Sequence, residues 1–170
     1  MINHRGPEFA SLIQGTTEKL KQVYLTENDV LTLTASGTGA MEAAVVNFMP
    51  PGSHALVITI GVFGNRFKEL VNAYGGVATV LESSFGSAAD LEQIKDALEK
   101  NPEIKTVFVT HNETSTGVTN PIIPNLVKIV QEHDALLVVD AISSLSSVEF
   151  RTDEWEVDVV CSGSQKGWMT

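Results

Sequence analysis

Short β-rich runs alternate with helical patterns along almost the whole chain, and this alternation restricts the fold more than any other feature. The runs at 30–34, 55–60, 77–81, 106–110, 135–139 and 157–161 are expected strands. Four of them are nearly continuously apolar, as in parallel strands covered on both faces. Between them, 88–98 puts Leu91, Ile94 and Leu98 on one stripe, and 123–133 does the same with Leu126, Ile129 and Val130. These read as crossover helices, so the expected fold is α/β: a three-layer, mostly parallel sheet with helices on both faces.

At 170 residues and 43% hydrophobic content, the chain is expected to form one domain, with no repeat or linker. Its 21 acidic against 11 basic residues give a formal charge of −10, which repels nucleic acid and anionic lipid and directs attention to a small-molecule partner. Cys161 is the only cysteine, so no intrachain disulfide can form. No run is apolar enough to span a bilayer, and the opening residues have no leader pattern, so the expected location is cytoplasmic.

In such a sheet, ligands collect where loops leave the carboxyl ends of the strands. Ser36-Gly37-Thr38-Gly39-Ala40 is a small-residue turn opening a run of helix formers. Free N–H groups there, with the Ser36 and Thr38 hydroxyls, suit a phosphate, although any tight strand-to-helix turn uses the same residues. No Gly-Lys-Ser/Thr follows, and Glu42 stands where a dinucleotide fingerprint has its third glycine. Asp140 ends an apolar run and can pair with a cation such as a protonated pyridine nitrogen; Asp also caps turns and ligates metals. Lys166 follows the last strand in a small polar turn, where it is either a solvated charge or an amine able to form an imine.

Together, Ser36-Gly37-Thr38-Gly39-Ala40, Asp140-Ala141-Ile142-Ser143-Ser144 and Ser162-Gly163-Ser164-Gln165-Lys166 resemble the class V aminotransferases of pyridoxal-phosphate (PLP) fold type I. The order and spacing agree over essentially the whole chain, most of all with the alanine–glyoxylate and serine–glyoxylate (or serine–pyruvate) group. The resemblance implies that Lys166 forms the Schiff base and that Asp140 holds the pyridine nitrogen. It further implies that Gly37, Thr38, Gly39 and Gln165 hold the phosphate, that Phe63 and Ile142 pack on the two ring faces, and that Thr114 contacts the ring oxygen. Trp is common in the family where this chain has Phe63, a change that keeps stacking and loses an indole N–H. Glu113 and Thr116 are read as either part of that contact or only ordering their loop, His111 as a strand-end residue, and Arg5 as either a surface charge or an attractor of substrate carboxylate. No metal ligands are assigned.

The implied reaction moves an amino group from a small amino acid (alanine or serine) to a small 2-oxo acid (glyoxylate or pyruvate), with Lys166 carrying the proton. Cysteine desulfurases place His before the lysine and need a mobile Cys, whereas this chain has Gln165 and a strand-embedded Cys161. Phosphoserine aminotransferase, a cysteine desulfurase-like enzyme and a non-catalytic subunit of the same fold remain as alternatives. The resemblance also implies that residues 1–170 are a truncated PLP-binding large domain, incomplete relative to fold type I. A C-terminal small domain bearing a carboxylate-binding arginine, a strand beside 30–34, and homodimer contacts are expected outside this chain.

Overall fold

Period-two alternation inside the apolar runs sets the layering. In the computed structural model, which describes residues 2–170, β1 (His54–Thr59), β2 (Val77–Glu82), β3 (Ile104–Thr110), β6 (Leu136–Asp140) and β7 (Val159–Cys161) form one sheet in the order β2-β1-β3-β6-β7. Every pairing in it is parallel. Two short strands, β4 (Asn112–Glu113) and β5 (Val118–Thr119), form a separate antiparallel hairpin.

Successive side chains of a strand point to opposite faces, so each central strand feeds two cores. Leu56, Ile58, Val107, Val109, Leu137 and Val139 pack on one face with Ile94 and Leu98 of α4 (Leu91–Lys100) and Leu126, Val127 and Val130 of α5 (Ile123–Glu132). Ala55, Val57, Phe108, Val138 and Cys161 pack on the other with Met41 and Val45 of α2 (Gly37–Phe48) and Phe67 and Val71 of α3 (Val62–Ala73). Phe67 and Phe108 meet with ring centroids 4.9 Å apart and planes tilted by 39°, a pairing that contributes about 1 kcal/mol beyond simple burial. The three-layer expectation therefore holds, with α4 and α5 on one face and α2 and α3 on the other.

Residues 30–34 are a correction: they form no strand, and Leu31 is 83% exposed. A β-branched, alternating run becomes a strand only against a neighbour, and among the described residues no strand pairs with it. The last strand is also shorter than expected, because the Asp158 carboxylate accepts the Leu137 N–H at 2.8 Å, where a ladder partner would otherwise stand. One helix went unread, α1 (Pro7–Tyr24), which has proline in its first turn and buries no residue. None of the helices among the described residues is long and apolar enough to cross a membrane.

Candidate active site

All five sheet strands run the same way, so their carboxyl ends gather on one rim. Asp140 is the last residue of β6, in register with Thr110 of β3 and Cys161 of β7. That position buries its side chain to 3% exposure. The Ile142 N–H donates to Oδ1 at 2.9 Å. Burial pushes the Asp140 carboxyl up to about 6; the Ile142 bond pulls against this, Glu113 adds to it, and the Arg66 charge opposes it.

The turn after β1 carries the aromatic platform. Its helix, α3, has Gly61 at the N-cap and no side chain of its own to satisfy the first N–H groups. Glu113, fully buried, supplies what is missing: Oε2 accepts the Phe63 N–H at 3.0 Å and the Gly64 N–H at 3.1 Å. Oε1 accepts the Ser115 hydroxyl at 2.7 Å, and Ser115 Oγ in turn accepts the Val62 N–H at 3.0 Å. A Cβ on Gly61 would stand 2.5 Å from Glu113 Cγ, so this clamp requires glycine there. Glu113 thus does order its loop, and it also fixes the helix start that bears Phe63. The sequence signal for this was a helix start whose cap position held no Ser, Thr, Asp or Asn.

Phe63, Asn112, Thr114, Asp140, Ile142, Ser143 and Lys166 line one narrow cleft at the rim. The structure therefore brings Phe63, Thr114, Asp140, Ile142 and Lys166 together. Asn112 and Ser143 were not foreseen; they tie the two loops through Asn112 Nδ2–H to Ser143 Oγ at 3.0 Å and Ser143 O–H to the Asn112 carbonyl at 2.9 Å. Gly37 backs onto the cleft, where an added Cβ would lie 2.7 Å from Ile142 Cδ1, so the backbone of α2 approaches as only glycine allows. Thr38 is joined to α3 by Arg66, whose Nη1–H donates to Thr38 Oγ1 at 2.8 Å. Gly37, Thr38, Gly39 and Gln165, the four expected phosphate residues, all lie outside the cleft lining.

Two side chains are set aside by their surroundings. Cys161 is buried, its thiol donates to the Ala40 carbonyl at 3.5 Å, and burial pushes it up to about 12, a state opposite to that of a reactive thiolate. His111 follows β3 and turns away from the rim, edge-on to Phe150 at 5.1 Å and Trp155 at 6.3 Å, with burial pulling it down to about 4. A broader depression at the opposite end of the sheet, lined by Lys105, Gln131, Asp134, Ala135 and Leu136, contains an exposed Lys105–Asp134 pair and no convergent buried groups. Arg5 is exposed, in the turn before α1, where its N–H donates to Asn3 Oδ1 at 3.0 Å.

A buried carboxylate, a lysine and an aromatic ring around one cleft, beside a glycine-opened helix start, agree with the relatives of this sequence. The model of the family described as aminotransferase class-V matches residues 1–169. The chain belongs to the class-V aminotransferase family. It is 43% identical over 166 residues to an uncharacterized aminotransferase of Methanocaldococcus jannaschii, covering 98% of this chain and 43% of that protein. It is 40% identical over 172 residues to the serine–glyoxylate aminotransferase of Methylorubrum extorquens, covering 98% of this chain and 42% of that one. The crystal structure of an alanine–glyoxylate aminotransferase from Nostoc sp. superposes with a TM-score of 0.93 at 34% identity, over 98% of this chain and 44% of that one. The chain thus spans less than half the length of these relatives, and its sheet is that of the PLP fold type I large domain, in part.

Membership in this family implies pyridoxal phosphate, and the residues present fit it. Asp140 is a buried carboxylate that makes no ion pair among the described residues, and a protonated ring nitrogen would give it one. The α2 start has no side-chain cap hydrogen bond from Ser36 and no Cβ at Gly37, leaving N–H groups free for a phosphate.

Proposed function

We propose that the protein carrying this chain is a PLP-dependent aminotransferase that moves an amino group from alanine or serine to glyoxylate or pyruvate. The observation that supports it best is the convergence of Lys166, Asp140, Phe63, Ile142 and Thr114 on a single cleft. The names of the similar enzymes favour glyoxylate as acceptor, and the buried, high-pKa Cys161 disfavours a desulfurase that would use it as nucleophile.

The cofactor supplies an electron sink for the pair left when a substrate α-proton departs. In this reading the chain's residues do the rest. Asp140 holds a proton on the ring nitrogen, keeping the sink charged. Phe63 and Ile142 hold the ring flat between them, and Thr114 orients its hydroxyl substituent. Gly37, Thr38, Gly39 and Gln165 bind the phosphate. Lys166 would hold the cofactor covalently through its amine, and the same amine, when free, is the base placed to take up a substrate proton and return it. Residues 1–170 then constitute the PLP-binding large domain of a homodimeric enzyme. The substrate-carboxylate arginine would come from outside it.

Borohydride reduction of the intact protein after incubation with PLP, followed by peptide mass mapping, is expected to find the cofactor on Lys166. The Lys166→Ala variant should retain none and lose transamination between alanine or serine and glyoxylate by at least about three orders of magnitude. An adduct on another lysine, or none on the wild type, would contradict the assignment.

A further inference from the structure

Arg66 makes no ion pair among the described residues, although its charge reaches Asp140 and opposes the rise of that carboxyl's pKa. It lies on α3 one turn beyond Phe63 and is half-buried. Its guanidinium carbon stands 5.3 Å from the Phe63 ring centroid, and Nη1–H donates to Thr38 Oγ1 at 2.8 Å. A guanidinium is charged at every physiological pH, and burying even half of it without an anion is unfavourable.

What it touches says which anion is missing. A hydroxyl has one proton to donate and two lone pairs. With Arg66 occupying a lone pair, the Thr38 proton is left to donate, and among the described residues Thr38 Oγ1 has no acceptor. Thr38 is the second residue of α2, beside the free N–H groups of that helix start. Arg66 therefore leaves the Thr38 proton free to donate beside those N–H groups and brings a positive charge within one hydrogen bond of them.

We infer that Arg66 is the positioning residue of the phosphate subsite: it fixes the Thr38 hydroxyl as a donor to the cofactor's phosphate and supplies that dianion's positive charge through it. The inference rests on the PLP reading above and assigns a role to a residue outside the lining of the cleft. Its contact with Phe63 is a competing explanation, in which Arg66 only steadies the ring platform.

Pyridoxal, which lacks the phosphate, separates the two. In the intact protein, Arg66→Gln is expected to weaken PLP binding by at least about tenfold while changing pyridoxal binding by less than about twofold. Arg66→Lys, which keeps the charge, should recover most of the loss. Thr38→Val gives the same selective loss, and adding it to Arg66→Gln should cost little more, since the two act as one unit. Equal weakening toward PLP and pyridoxal in Arg66→Gln, or full additivity with Thr38→Val, overturns the inference in favour of the ring-platform role. If Arg66→Gln does not fold, Arg66→Met takes its place in the same comparison, and equal weakening toward PLP and pyridoxal overturns the inference. A wild type that takes up neither ligand would instead overturn the PLP reading.

Discussion

Asp140 and His111 are joined by a backbone hydrogen bond, His111 N–H to the Asp140 carbonyl at 2.9 Å, yet burial makes them respond to acid in opposite ways. The Asp140 pKa rises from 3.8 to about 6, so its contribution to stability is fully present below 3.8 and lost as pH rises through 6. That of His111 falls from 6.5 to about 4, so its contribution is present above 6.5 and lost as pH falls through 4. Each is worth up to about 3 kcal/mol, and between pH 4 and 6 they offset one another. Asp140→Asn is therefore expected to stabilise the cofactor-free protein at pH 7.5 and to expose a steep acid loss below pH 6.5. Urea unfolding across that range checks this; a wild type that loses stability as steeply as the variant would contradict it. Glu113 is a simpler case, because Glu113→Ala orphans the Phe63 and Gly64 N–H groups. It should lower unfolding free energy by about 2–4 kcal/mol, and a variant as stable as the wild type would show that α3 starts without this clamp.

The elements differ in how deeply they are held. β3 is buried at six of its seven positions and paired on both sides, while α1 buries nothing along 18 residues. Amide exchange should accordingly show α1 opening at least about 2 kcal/mol more easily than β3, and equal protection would mean that α1 is held by contacts other than side-chain burial. The same contrast explains which elements could be read from sequence. α4 and α5 were legible because each buries one stripe, whereas Leu12, Ile13 and Val23 of α1 are all exposed and give no single face. Residues 30–34 misled because propensity for a pleated surface says nothing about whether a neighbouring strand exists. In the candidate site, Asp140 and Lys166 were visible as residues at or just beyond strand ends, whereas Phe63, Thr114 and Ile142 came only from the family resemblance. Arg66 and Glu113 were not visible, because their roles depend on partners 28 and 50 residues away that only folding brings near.

For the molecule as a whole, Lys166 extends from the weakest side of the sheet. It follows β7, an edge strand of three residues, while Asp140 sits at the end of β6 with a neighbour on either side. The 170-residue chain by itself is therefore expected to catalyse no measurable transamination, and turnover comparable to that of the intact protein would refute this. The parts of the rim also come from opposite ends of the sequence: Gly37 backs onto Ile142, and Phe63 shares its cleft with Lys166. A ribosome working from the N-terminus releases the glycine turn and the ring platform long before the carboxylate and the amine have been synthesised. The vitamin-derived group would thus find neither its carboxylate nor its amine until β7 has been synthesised and has docked beside β6.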